Sequence, residues 1–260
     1  MGKMNLTVFN FTGVYELESF YRQDKGSYLC DLSADIVDMK GISGTNCFCD
    51  DQARDEIRNI ITEKGISSKG IHFIDNGNYH YMSAILLDQV KEPFTLVVLD
   101  HHPDMQAPAF GDILSCGGWV LDVIERNEFV RDIHVIGADA GLIDKLDAET
   151  RARAHFHDFS NDPQGRGLRF IFEELSKSEF PVYLSIDKDV LSRDGLVTNW
   201  DQGEMCIDDM LSFVRELQAK CQIIGIDVCG ECALEQEGIA VDAEIKRNDE
   251  FNIKLLNEIK

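Results

Sequence analysis

The chain has 260 residues, 44% of them hydrophobic, and its 47 acidic against 25 basic side chains give a formal charge of −22. That length and apolar content suit one large α/β domain spanning 1–260 better than two small ones. An acidic excess of this size, with no basic run or stripe, excludes nucleic acid and anionic membrane surfaces as partners and leaves small molecules and cations.

The opening "MGKMNLTVFNFTG" carries one Lys and a broken apolar stretch too short for a signal core, and Leu6 stands where a myristoylation signal wants Ser or Thr. No later stretch reaches the ~18 uninterrupted apolar residues of a membrane span, so a cytoplasmic protein is expected. In chain order the pattern predicts a strand at 6–10, a helix at 50–64 with Asp50 or Asp51 as N-cap, a strand at 71–75, a helix at 79–90, a strand at 95–100 and a helix at 112–127. A strand at 132–137 follows, then helices at 140–150 and 163–178, a strand at 181–187, a helix at 206–220, a strand at 222–228 and a helix at 248–259. The strands are mostly continuous apolar runs, which marks them as buried on both faces. Strand and helix alternate from end to end without repeat or linker. This predicts a mostly parallel sheet with helices on both faces, whose ligands bind at the carboxyl ends of the strands.

Eight cysteines are present, and without a secretion signal they read as reduced thiols. Cys47/Cys49 and Cys229/Cys232 are the suggestive spacings, but nothing ties the two pairs together into a zinc site.

The strand ends carry the chemistry. "LVVLDHHPDM" (97–106) runs from a buried strand straight into Asp100, His101, His102 and Asp104; "NGNYHYMS" brings His80; "PVYLSIDKD" brings Asp187 and Asp189. A parallel sheet gathers these ends on one edge, and alternate residues point the same way. Four buried carboxylates repel one another by several kcal/mol, so cations are required, and two divalent ions cancel the four charges. Oxygen and imidazole ligands favour a metal such as Mn²⁺. Two metals about 3.5–4 Å apart can share a bridging water and lower its pKa toward neutrality, which implies hydrolysis at an electrophilic carbon or phosphorus.

These blocks resemble a known family. "DHHPD" fits the Asp-x-His-x-Asp motif of the arginase/ureohydrolase family, "SIDKD" (185–189) fits its Ser-x-Asp-x-Asp motif, and "GNYHYMS" is similar to a worn form of its Gly-Gly-Asp-His-Ser motif. Order and spacing match from about residue 70 to about 232. The resemblance implies an arginase-like three-layer α/β/α sandwich and a binuclear manganese cluster, two Mn²⁺ per chain, held by His80, Asp100, His102, Asp104, Asp187 and Asp189. It further implies hydrolysis of a C–N bond in a guanidino, amidino or formimino group of a small molecule, with Asp104 or Asp189 orienting the attacking hydroxide, and a homo-oligomer as the assembly.

The departures from the family pattern bear on the substrate. No His occurs between 103 and 133, where the family carries a His-Gly segment that shuttles protons; "LSCGGW" (114–119) stands there, with Cys116. Ser192 occupies the place of a family Asp, and "DVCGEC" sets Glu231 four residues after Asp227 rather than three. Glu231, as the contact for a cationic head group, and Cys116 are the candidate substrate-binding residues. His101 is expected to face away or to bond a ligand carboxylate, Asp227 to act as a brace or cap, and Trp119 and Trp200 to pack, with Trp200 a candidate pocket wall.

Two other readings stand beside this one. "LDHH" is also the hallmark of DHH phosphoesterases, but these need an upstream Asp-x-Asp block and a separate C-terminal domain, and they leave "SIDKD" unaccounted for. A non-catalytic metal-binding relative is the other, against which the intact six-residue set weighs.

Overall fold

The computed structural model describes residues 5–22, 34–108, 110–157, 166–175 and 177–259. Its strands are β1 (Asn5–Asn10), β2 (Ala34–Asp38), β3 (Phe48–Cys49), β4 (Gly70–Phe73), β5 (Phe94–Leu99), β6 (Leu114–Ser115), β7 (Val130–Ile136), β8 (His155–His157), β9 (Val182–Asp187) and β10 (Ile223–Cys229). The helices are α1 (Asp51–Glu63), α2 (Met82–Leu87), α3 (Trp119–Arg126), α4 (Ala140–Ile143), α5 (Ala148–Arg151), α6 (Arg166–Leu175), α7 (Ile207–Lys220) and α8 (Val241–Glu258). Eight strands form one sheet in the order β2-β1-β4-β10-β9-β5-β7-β8, every pair parallel, while β3 and β6 make a separate antiparallel pair.

The central strands β5, β9 and β10 are buried along their whole length, as their continuous apolar sequences predict. One apolar cluster joins one face of the sheet to α6, α7 and α8, and a second joins the other face to α1, α2, α3 and α4. This is the three-layer α/β/α sandwich expected. No helix among the described residues is long and apolar enough to cross a membrane.

Several elements differ from expectation for local reasons. β2 and β8 lie at the two sheet edges; β2 is mostly solvent-facing and β8 carries two histidines around one Phe, so neither makes an apolar run. The helix expected over 112–127 begins at Trp119 because Leu114–Ser115 pairs with β3. The stretch 140–150 splits into α4 and α5, each opened by its own capping aspartate, Asp139 and Asp147. A 3-10 turn over Gly77–Tyr79 shortens the helix expected from 79, and α8 starts seven residues before 248, at Val241. Asp50 caps α1 as expected, accepting from the Ala53 amide. Of the helix expected over 163–178, residues 163–165 and 176 lie outside the described residues.

β10 reaches its register through a bulge: Ile223 pairs with Val182 but Gly225 with Tyr183. Gly225 is pressed between neighbours, since a Cβ there would meet the Ser68 backbone oxygen at 2.2 Å and the Tyr183 ring at 2.6 Å. Backbone cannot yield as a side-chain tip can. Gly225→Ala is therefore expected to destabilise the fold by about 1–3 kcal/mol, read as a lower urea midpoint at unchanged slope.

Candidate metal centre

The sheet brings the carboxyl ends of β4, β5 and β9 together on one edge. His80 ends the 3-10 turn that follows β4; Asp100, His102 and Asp104 follow β5; Asp187 ends β9, and Asp189 lies in the next 3-10 turn, Lys188–Val190. All six candidate ligands are brought together.

His80 stands among the carboxylates, its Nδ1 lying 3.2 Å from Asp100 Oδ2, 3.1 Å from Asp104 Oδ2 and 3.4 Å from Asp187 Oδ2. One nitrogen carries at most one hydrogen and cannot satisfy three acceptors. Asp100 Oδ2 is in fact buried without a hydrogen-bond partner. On the far side of the ring, His80 Nε2 is 2.9 Å from Ser185 Oγ, and that hydroxyl donates to Asp227 Oδ1 at 2.6 Å. Because Ser185 spends its hydrogen on Asp227, it accepts from His80, so the neutral ring carries its hydrogen on Nε2 and aims the Nδ1 lone pair at the carboxylates. His102 repeats the arrangement. Its Nδ1 is 2.9 Å from Asp189 Oδ2 and 3.5 Å from Asp100 Oδ1, while Nε2 bonds the exposed Asp201 carboxylate at 3.1 Å.

Two triads result, His80–Asp100–Asp104 and Asp100–His102–Asp189, which share Asp100. Burial first, and then the neighbouring carboxylates, push Asp187 and Asp189 above the usual carboxylate range. Burial works against protonation of His80, yet contacts with Cys229, Asp100 and Asp104 outweigh it and raise the imidazole. Two clustered carboxylates raised above their usual range, and one oxygen with no partner, mark a place suited to positive charge. Carboxylate oxygens with two imidazoles fit hard or borderline divalent cations.

Neutral donors fix the carboxylates in place. Trp119 Nε1 donates to Asp104 Oδ2 at 2.7 Å, Cys229 Sγ to Asp187 Oδ2 at 3.0 Å, and the His101 amide to Asp189 Oδ1 at 3.0 Å. Asp104 itself takes a positive φ of 48°, a conformation that Asp tolerates better than most residues. Gly230, at φ 98°, clears the other side of the cluster, where a Cβ would lie 2.5 Å from Asp187 Oδ1.

Above the cluster opens a cavity of about 320 Å³, with Asp100, His102, Asp104, Asp187 and Asp189 at its base. Phe48, Gln106, Ser115, Cys116 and Trp200 are among its walls. Burial, followed by the charge of Asp104, raises the Cys116 thiol, which therefore stays protonated at neutral pH. His101 serves through its backbone amide rather than its ring, and Asp227 is a brace for His80 through Ser185. Trp119 is more than packing, since its indole donates to Asp104 Oδ2. Sequence reasoning missed the roles of Cys229 and Asp201 as well; both contacts join segments far apart in the chain. The cysteine pairs do not assemble: no metal-capable grouping among the described residues contains Cys47, Cys49 or Cys232.

No family model matches the chain. An uncharacterised protein of Thermotoga maritima is 29% identical over 227 residues, covering 87% of this chain and 80% of its own. Among solved structures, the proclavaminate amidino hydrolase of Streptomyces clavuligerus superposes with a TM-score of 0.68 at 16% identity, covering 99% of this chain and 93% of that one. The Trypanosoma cruzi formiminoglutamase with Mn²⁺ superposes at 0.67 with 9% identity, covering 99% of this chain and 94% of that one. At these identities the likeness establishes a common fold.

Glu231 does not reach the cavity. It is fully buried, its Oε1 lying 2.6 Å from Lys188 Nζ and accepting from Asn252 Nδ2 at 2.9 Å. Lys188 also donates to Asn248 at 2.7 Å, so a cation sits in the core on the side away from its neighbours Asp187 and Asp189. The expected role of Glu231 as a head-group contact is corrected on this ground: its charge is already spent on Lys188. Removing one partner strands a buried charge, so Lys188→Met is expected to cost about 3–5 kcal/mol in chemical denaturation, and Lys188→Met with Glu231→Met to recover at least half of that.

Proposed function

We propose that this protein is a manganese-dependent hydrolase of a C–N bond in a guanidino, amidino or formimino group of a small molecule, with two Mn²⁺ per chain held by His80, Asp100, His102, Asp104, Asp187 and Asp189. The observation that carries this reading is the pair of imidazole–carboxylate triads sharing Asp100 at the base of an open cavity. Support also comes from the fold held in common with an amidino hydrolase and with a formiminoglutamase that carries Mn²⁺. When bound, the two ions supply Lewis acidity and a water that ionises near neutral pH.

The chain's own residues do the rest. Ser185 and Asp201 fix the hydrogen of each imidazole on Nε2, leaving both Nδ1 atoms as donors toward the ions. Trp119 holds Asp104 by Oδ2 so that its Oδ1 can orient the attacking water, while the His101 amide and His102 hold Asp189. Asp189 is the carboxylate that would take the proton released at the attacking water and pass it to the leaving nitrogen. No imidazole stands at the position of Cys116, and a raised thiol is a poor relay. Phe48 and Trp200, in the cavity wall, offer apolar rings to a planar group, and Gln106 and Ser115 offer neutral hydrogen-bonding groups to the remainder of the substrate.

Elemental analysis of protein purified with Mn²⁺ should give close to two ions per chain, and chelation should lower its thermal stability. A single tightly bound zinc without manganese uptake would overturn the binuclear assignment. The Mn-loaded protein should release urea, ammonia or formamide from at least one member of a panel of arginine, agmatine, guanidinobutyrate, formiminoglutamate and simple guanidines. Turnover of a phosphodiester and of none of these would favour the DHH-type reading.

Once a substrate is found, Asp189→Asn is expected to lower kcat by roughly 10²–10⁴-fold, and Cys116→Ala by less than about tenfold. Loss of turnover in Cys116→Ala with both ions still bound would transfer the proton-carrying role to the thiol.

A further inference from the structure

A second imidazole–carboxylate cluster lies two strands away from the cavity, at the sheet edge. β7 and β8 pair in parallel with His134 opposite His155 and Ile136 opposite His157, so alternation puts Asp132, His134, His155 and His157 on one face. His134 Nδ1 lies 3.0 Å from His157 Nε2, and His134 Nε2 lies 3.1 Å from Asp132 Oδ2. The other Asp132 oxygen is 3.1 Å from His155 Nε2; the His155 ring stacks on His134 at a centroid distance of 5.0 Å, and the His157 ring meets His134 edge to edge, nearly coplanar, at 5.3 Å. α6 contributes Glu174, and one ligand atom each from His134, His157 and Glu174 lies within 4.8 Å of the other two.

The tautomers follow from the partners. A carboxylate only accepts, so His134 carries its hydrogen on Nε2 toward Asp132 and turns a lone pair at Nδ1 toward His157. Without an ion, His157 Nε2 must be the donor between the two rings; moving that hydrogen to Nδ1 frees a second lone pair at the same point. Two nitrogens on a tetrahedral zinc, at about 2.0–2.1 Å from the ion, stand roughly 3.3 Å apart, close to the spacing here. Asp132 occupies the place of the carboxylate that holds a metal-binding imidazole from behind.

We propose that His134, His157 and Glu174 form a separate metal site that takes one Zn²⁺, with Asp132 fixing the tautomer of His134. Three protein ligands leave a fourth position for water. Two imidazoles and one carboxylate favour zinc, in contrast to the oxygen-rich set in the cavity. The ion would tie α6 to the short edge strand β8, which has a strand neighbour on one side only.

The site is tested on full-length protein loaded with Mn²⁺ and dialysed against micromolar Zn²⁺. Total divalent metal per chain, manganese plus zinc, should be one ion higher in the wild type than in His157→Ala, and Glu174→Gln and Asp132→Asn should each weaken uptake of that ion by about 10–100-fold. In long-range ¹H–¹⁵N spectra of the wild type, one equivalent of Zn²⁺ should move His134 Nδ1 and His157 Nε2 to the metal-bound range and leave His157 protonated on Nδ1. Equal metal totals in the wild type and Glu174→Gln, or imidazole resonances that zinc does not move, overturn the proposal. Should His157→Ala fail to fold, the isosteric Glu174→Gln and the wild-type spectrum decide it. None of these substitutions touches the cavity ligands, so failure here is distinguishable from failure of the manganese reading.

Discussion

Four carboxylates crowded at one buried edge of a parallel sheet are the constraint around which this molecule is arranged. At an effective dielectric near 20, two unit charges about 4 Å apart repel by about 4 kcal/mol, and burial adds to that cost. Apart from the imidazoles of His80 and His102, the groups that touch these oxygens from the protein side are neutral: an indole, a thiol and backbone amides. Such donors fix where each oxygen points without cancelling its charge. Lys188 sits in sequence between two of the carboxylates, yet its ammonium turns into the opposite layer and is neutralised there by Glu231. The chain therefore spends the lysine nearest in sequence elsewhere and leaves His80 and His102 as the basic groups beside the cluster.

The orientation of the imidazoles descends from strand register. Ser185 on β9 pairs with Asp227 on β10, and this places the serine hydroxyl between His80 and the aspartate. That pairing depends on the bulge between Ile223 and Gly225, because a slip of one residue would turn Asp227 to the other face of the sheet. Backbone crowding around Gly225, far from the cavity, thus decides which nitrogen of His80 carries a hydrogen. The same register sets Cys229 beside Asp187, where its thiol donates to the carboxylate. Fold and site are linked here through hydrogen bonds that can be traced atom by atom.

Such links explain what could be read in advance. The central strands and the six clustered residues were legible because both leave local marks: a continuous apolar run, and charged groups placed directly after it. Edge strands leave no such mark, as β2 and β8 demonstrate. The supporting contacts are non-local and come from register or from loops that meet only in the folded chain; Trp119 reads as packing, and Asp201 carries no local mark, until they meet Asp104 and His102. Glu231 misled for a related reason. Its direction is set by the turn at Gly230, with φ of 98°, rather than by the alternation of β10, so counting residues from Asp227 could not give its side.

The two imidazole-bearing clusters on this sheet differ in composition because they differ in place. At the carboxyl edge, loops leave the strands freely and can deliver several short carboxylates to one point, as Asp100, Asp104, Asp187 and Asp189 show. On the β7 and β8 face, side chains emerge at fixed intervals and must bridge to a helix layer. Planar rings from neighbouring strands, met by a long glutamate from α6, suit that spacing. The first arrangement produces an oxygen-rich, open, strongly anionic cup, and the second a compact nitrogen-rich contact between layers. In the readings proposed above, donor softness and cavity access sort the ions: a hard or borderline cation with room for substrate in the cup, and a zinc that fastens α6 to the sheet edge.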